Sequence, residues 1–271
     1  MPLRLLDTFS GIGGFSYAAE RIVGGFETVA FVEREPYCQQ ILSKHWPSVP
    51  IYDDITTFSP EPYSADVVCG GFPCQDISTA GNQAGIKEGT RSGLFYELMR
   101  VIRLVRPRYV VLENVSAIIS NGLDTVLGEL AEAGYDCEWA CIRASDVGAC
   151  HRRARIWIVA YANHCRQDAA HTNAQRLLGS HVELSTMHGS KPGGKVGMED
   201  GSGTWAQQWP QWRAGNQSLN PDWRSYVSVP VLYRGDDGLS NRVDRLKALG
   251  NAVVPQVAAI PLARVRQLAG V

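Results

Sequence analysis

The sequence predicts an α/β fold built on a mostly parallel sheet, and three observations carry that prediction. Short apolar runs alternate with helix-compatible stretches through residues 1–160, turns rich in glycine follow several of those runs, and polar or acidic residues recur where the runs end. The composition is compatible: 271 residues with 45% hydrophobic and 20% charged side chains suit one large domain, or a domain with a small satellite. Collagen, coiled coil and wholesale disorder are excluded.

The elements follow in order. Leu3 to Phe9 reads as a strand ending in Asp7-Thr-Phe-Ser-Gly-Ile-Gly-Gly14, with a helix predicted over Phe15 to Val23. A second strand, Thr28 to Val32, ends at Glu33 and leads into a helix-compatible stretch reaching Trp46. Asp53-Asp54-Ile55 marks a third strand end. Residues 66–71 form a fourth strand that opens into Phe72-Pro73-Cys74-Gln75, a turn kept irregular by its proline and the preceding glycines. Leu94, Phe95, Leu98, Val101, Ile102 and Val105 recur on one face of a helix. Tyr109 to Leu112 is the next strand and ends at Glu113-Asn114-Val115. Ligands of such sheets bind outside the carboxyl ends of the strands, so these end residues should share one rim.

After Ile156-Trp-Ile-Val-Ala160 the helical period is lost. Glycine and polar residues crowd in, and Trp205, Trp209, Trp212 and Trp223 fall close together. The expected division is a catalytic and cofactor-binding domain over 1–160, a small irregular domain over 161–240, and a segment over 241–271 that returns to the first domain. The four tryptophans read as the core of the small domain rather than as stacking platforms. Its basic and acidic residues balance at seven each.

Charge and cysteines narrow the setting. Twenty-six basic against 27 acidic residues give a formal charge of -1, so no global basic field announces a nucleic-acid partner, although a balanced total can hide a basic cleft. The seven cysteines lack any C-x-x-C spacing, which argues against structural zinc and a disulfide framework. His164, Cys165, His171 and His181 are too irregularly spaced for a metal site, and no metal is expected. The start has no signal-peptide layout, and no apolar run reaches the roughly 18 residues of a bilayer span, so a reducing, cytoplasmic setting without a membrane partner is expected.

Gly11-x-Gly13-Gly14 after a strand is a weak nucleotide signal, since such turns also merely pack a helix against a strand. Glu33 strengthens it, because a carboxylate ending the second strand can accept ribose hydroxyls, and Asp54 could take an adenine amino group. Together they suggest an adenosine-containing cofactor without choosing between NAD and S-adenosylmethionine. Cys74, following proline in a strand-end turn, can be activated as a thiolate, and Glu113 at the neighbouring strand end can face it. Thiol and carboxylic acid suit addition to an electron-poor ring. In His151-Arg-Arg153-Ala-Arg155 the alternation of a strand sends Arg153 and Arg155 the same way, where they could hold a phosphate, a base or the carboxylate. Alone, the run would read as a solvated cationic edge.

Asp-x-Phe-Ser-Gly-x-Gly-Gly at 7–14, Gly-Phe-Pro-Cys-Gln at 71–75, Glu-Asn-Val at 113–115, Arg-x-Arg at 153–155 and Gly-Asn-Ala-Val at 250–253 occur in one order. That ordered set resembles the DNA (cytosine-5)-methyltransferases, in their compact bacterial or phage-borne form. The resemblance implies a Rossmann-like S-adenosylmethionine-dependent methyltransferase fold with a small irregular target-recognition domain. It implies a cofactor pocket lined by Phe9, Gly11, Ile12, Gly13, Gly14, Glu33, Asp54, Ile55, Phe72, Asn251 and Val253. It implies catalysis by Cys74, Glu113, Arg153 and Arg155 on a cytosine flipped from double-stranded DNA, and DNA contacts from Gln75, Ser78, Lys87, Arg91 and His151. Glycines 81, 85 and 89 would let the intervening loop close over the base. His151 stands where the family commonly has glutamine. A monomer is expected, with a cognate restriction enzyme as a candidate partner. Competing readings are an RNA cytosine methyltransferase, a catalytically inactive DNA-binding homologue, and an NAD-dependent oxidoreductase, which would leave Cys74 and Glu113 without a joint role.

Overall fold

The computed structural model describes residues 1–73, 93–162 and 242–271. Strands β1 (Leu3–Thr8), β2 (Phe26–Val32), β3 (Ile51–Tyr52), β4 (Val67–Gly71), β5 (Tyr109–Val115), β6 (Tyr135–Arg143) and β7 (Ala154–Ala162) form one sheet in the order β3-β2-β1-β4-β5-β7-β6. β1 to β5 pair in parallel, whereas β7 runs antiparallel to both β5 and β6. The connection from β6 to β7 is short and carries only a 3₁₀ turn, and an antiparallel pair is what so short a connection permits. The strand order reverses direction between β1 and β4, so their carboxyl ends open a crevice at the switch point.

Helices cover both faces. On one side lie α3 (Leu94–Val105), α4 (Ile118–Asn121) and α5 (Leu123–Glu132), burying Phe95, Leu98, Ile102, Val126 and Leu130 against Leu6, Val68, Val110, Leu112 and Ile158. On the other lie α1 (Gly14–Tyr17), a π-helical turn (Ala18–Val23) and α7 (Pro255–Ala269), burying Phe15, Ala18, Val257, Leu262 and Val265 against Leu5, Cys69, Val111 and Trp157. α2 (Pro36–His45) and α6 (Arg242–Asn251) complete the described residues.

Three features differ from the sequence expectation. The helix predicted over 15–23 is half π-helical. The wider turn buries Ala18 and Ala19 and lets Glu20 accept the Thr28 amide at 2.9 Å and the Trp46 indole N–H at 2.9 Å. Strand β5 continues through Glu113 to Val115, because β7 pairs with it to its end, Val115 lying opposite Arg155. Finally, the segment Lys247–Ala269 is long and apolar enough for a bilayer span by length and composition, although scattered charges interrupt its apolar residues. Its path breaks at residues 252–254 ahead of Pro255, and Ala258, Ala259, Leu262 and Val265 lie fully buried in the protein core. Most of the segment expected at 161–240 lies outside the described residues, as do its tryptophans and the His164, Cys165, His171 and His181 cluster.

Candidate active site

The rim at the switch point begins with a strained turn. Phe9 adopts φ 50°, a left-handed conformation that a side chain seldom takes, and Ser10 locks it by donating its hydroxyl to the Asp7 carbonyl at 2.6 Å. Glu33, 8% exposed, closes the turn from the end of β2: its Oε2 accepts the Gly11 amide at 2.6 Å and its Oε1 the Glu35 amide at 2.7 Å. An ionised carboxylate has about four acceptor sites, so two remain for a ligand's hydroxyls. Asp54 follows β3 and uses Oδ1 to accept both the amide and the hydroxyl of Thr56, at 2.9 and 2.8 Å, which holds its carboxyl below the ordinary range.

These groups line one cavity of about 300 Å³. Phe9, Gly11, Glu33, Asp54, Ile55, Asn251 and Val253 are there as expected, and Ser10, Leu94 and Lys247 join them. At the mouth Lys247 of α6 reaches Glu35 at 2.8 Å. An aromatic ring, two carboxylates with open acceptor sites and an apolar floor form a lining that fits the hydroxyls, amino group and ring of an adenosine-bearing cofactor. The same cavity extends past Gly71 and Pro73 to Glu113.

Sheet register explains the far end. Glu113 pairs with Gly71 on one side and with Trp157 on the other, and Arg155 lies diagonally across on the same face. Arg155 Nε thus reaches Glu113 Oε1 at 2.9 Å. Gly71 makes room for the carboxyl, since a Cβ there would sit 3.0 Å from Glu113 Oε2. Burial pushes the Glu113 carboxyl above its usual range, against the opposing pull of Arg155 and Arg153. A carboxyl so placed takes up a proton more readily than a free one, and in that form it donates a hydrogen bond. Asn114 fixes the adjoining loop by donating to the Phe72 carbonyl at 3.2 Å.

Other expected residues are elsewhere. Arg153 does not join Arg155 at the carboxylate. It sits just before β7 at φ 33° and donates to the carbonyls of Gly250 and Ala252, at 2.8 and 2.7 Å, fastening the segment that carries Asn251 and Val253. Ile12, Gly13 and Gly14 line a second cavity with Tyr17, Trp46 and His151, because the helix start turns them away from the first. Gly14 still serves the site indirectly: a Cβ there would lie 2.5 Å from Val253 Cγ2, so glycine lets that segment pack close. Phe72 is buried against Phe95, 5.0 Å between ring centres, and belongs to the core. Cys74, Gln75, Ser78, Lys87 and Arg91 lie outside the described residues, although Pro73, the neighbour of Cys74, lines the cavity. No group of three metal-ligating side chains occurs among the described residues.

The profile of the C-5 cytosine-specific DNA methylase family matches residues 3–203. The chain belongs to that family. Over 165 residues this DNA methylase chain is 36% identical to the Type II methyltransferase M.CviJI of Paramecium bursaria Chlorella virus IL3A, covering 59% of this chain and 43% of that protein. It is 33% identical over 166 residues to the Type II methyltransferase M.HhaI of Haemophilus parahaemolyticus, covering 59% of this chain and 50% of that one. The chain thus spans half or less of the length of these curated relatives. Among solved structures, the Entamoeba histolytica methyltransferase EhMeth superposes with a TM-score of 0.50 at 17% identity, over 59% of this chain and 53% of that chain, a likeness of fold. The expected methyltransferase-type α/β architecture is therefore the one this family member has.

Proposed function

We propose that this chain is a DNA (cytosine-5)-methyltransferase, acting on a cytosine flipped out of a double-stranded site. The observation that carries the reading is a single cavity with an aromatic ring and two carboxylate acceptors, Phe9, Glu33 and Asp54, at one end and the partly buried Glu113–Arg155 pair at the other. S-adenosylmethionine, when bound there, supplies an electrophilic methyl group. The rest falls to the chain's own residues. The Cys74 thiolate adds to ring carbon 6, forming a carbon–sulfur bond and leaving carbon 5 electron-rich. Glu113 donates to the ring nitrogen and accepts from the exocyclic amine, and Arg155 fixes the carboxyl's orientation and holds the base. After methyl transfer, the carbon-5 proton passes to water and the carbon–sulfur bond breaks, releasing the Cys74 thiolate. Gln75, Ser78, Lys87, Arg91 and His151 are assigned to the DNA. A monomer working in the cytoplasm, as the modification partner of a restriction enzyme, completes the reading. The NAD alternative does not account for Glu113 and Arg155 meeting at the end of the cavity that Pro73 lines, and the inactive-homologue alternative leaves Cys74, Glu113 and Arg155 without a joint task.

The test is methyl transfer from labelled cofactor to duplex DNA and, separately, to transfer RNA. Cys74→Ser should lose turnover on DNA while still binding S-adenosylhomocysteine. Label incorporated only into RNA, or turnover retained by the serine variant, sinks the proposal.

A further inference from the structure

Asp54 and Ile55 belong to a short turn, residues 54–58, that has no regular element of its own to hold it. At its start Asp54 Oδ1 accepts the Thr56 amide, and its carbonyl accepts the amides of Thr57 and Phe58 at 3.3 and 3.0 Å. One such turn is not stable alone, because fixing its dihedrals costs more than its few hydrogen bonds return. Its later carbonyls, those of Ile55, Thr56 and Phe58, also need donors.

A single side chain supplies them. Arg100, just past the middle of α3, donates Nη2 to the Ile55 carbonyl at 2.5 Å and to that of Thr56 at 3.3 Å, and Nη1 to the Phe58 carbonyl at 3.0 Å. Its Nε is held by Glu97 Oε2 at 2.7 Å, one helical turn back, which fixes the plane of the guanidinium. Ile55 and Phe58, 5% and 7% exposed, anchor the turn in the core below. The other end of α3 reaches the same cavity through Leu94. Asp54 thus caps the turn from the front and Arg100 from behind, so the position of the Asp54 carboxylate depends on a residue more than 40 positions away.

We infer that Arg100, set by Glu97, is the positioning residue that makes the cavity selective for adenine among purines, by fixing Asp54 where it accepts the exocyclic amino group of the cofactor base. This rests on the proposed role of the cavity as an S-adenosylmethionine site. Arginine is required because three carbonyls in different directions need a planar fork, and a lysine ammonium in its place would keep the charge but reach fewer of them.

The probe pair is S-adenosylhomocysteine and S-inosylhomocysteine, which differ in the group Asp54 would read. Binding of each to the full chain is measured by calorimetry. The native protein should favour the adenosyl compound, and Arg100→Ala should lower that preference about tenfold, the scale of one misplaced hydrogen bond to a charged group. Arg100→Lys, which keeps the ion pair with Glu97, should fold well and lose part of the preference. Arg103→Ala is the control. It removes another ion pair of α3, Arg103 to Glu129 of α5 at 2.6 Å, and should lower stability without changing the preference. Preference lost in both Arg100 variants but kept in Arg103→Ala supports the inference. Preference kept in both Arg100 variants while Asp54→Ala abolishes it overturns the role of Arg100 alone. Preference kept in all variants, Asp54→Ala included, overturns the adenine reading of the turn and the inference with it.

Discussion

Asp7, next to last in β1, has no exposure to solvent. Its Oδ2 accepts the amide and hydroxyl of Ser16 at 3.2 and 2.8 Å, and the Cys69 thiol lies beside it in register on β4. It caps α1 from across the turn, because the residue at the helix start, Gly13, has no side chain to do so. Burial pushes its carboxyl from 3.8 to about 7, with the Ser16 hydrogen bonds opposing and the nearby Glu33 reinforcing. A carboxyl whose folded pKa lies above its unfolded one favours the folded state most at low pH. Its contribution is full below about pH 4 and is lost as pH rises through 7. Urea unfolding should therefore show that Asp7→Asn, which keeps the shape and stays neutral, gains on the native protein by roughly 2–4 kcal/mol between pH 5 and pH 8. An unchanged difference between the two proteins over that interval would mean that Asp7 is held ionised throughout. The sequence showed Asp7 only as the first letter of a motif. Burial and the Ser16 contact, which give it a task, depend on how α1 folds back over β1.

Among elements, the strands were legible and the junctions were not. β1, β2, β4 and β5 each carry a dense apolar run, and the polar residues that end them do meet on one rim. Alternation along a strand was read as giving Arg153 and Arg155 one face, and the register of β5 with β7 brings Glu113 to Arg155. Arg153 shows where that reasoning stops. It lies before β7 rather than in it, and at φ 33° it leaves the alternating pattern and turns towards α6. The glycine turn was half-read for a similar reason: Gly11 faces the cavity, but Ile12, Gly13 and Gly14 line the second cavity beyond Ala252 and Val253. Arg153 tests this account. Arg153→Ala should free the Gly250 and Ala252 carbonyls and loosen Asn251 and Val253, weakening S-adenosylhomocysteine binding about tenfold for the loss of charge-assisted hydrogen bonds. Arg153→Lys should rescue little, since one ammonium replaces a fork that reaches two carbonyls. Normal binding with reduced turnover would instead place Arg153 at the reacting base.

For the whole molecule, the formal charge of -1 means that affinity for DNA has to come from a local cleft. Arg153 and Arg155 were candidates for that cleft, yet the protein uses both internally, which shifts the proposed phosphate contacts towards Lys87, Arg91 and the arginines of 161–240. The chain's two ends meet on one sheet face instead of forming separate units: α7 packs against α1, the π-helical turn and β7, and its Arg266 donates to the Val23 carbonyl at 3.0 Å. Val257, Ile260, Leu262 and Val265 are each 4% exposed or less. At roughly 1.5–3 kcal/mol per buried aliphatic side chain, these four contribute about 6–12 kcal/mol, which equals the net stability of a typical domain of about 5–15 kcal/mol. A chain ending at Val254 should therefore show no cooperative thermal transition, even though it retains every residue of the cavity, and should expose enough apolar surface to bind a hydrophobic dye. A truncated protein that melts cooperatively near the full-length temperature would show that α7 is an appendage, and that the face built from β1, β4 and β5 is stable without it.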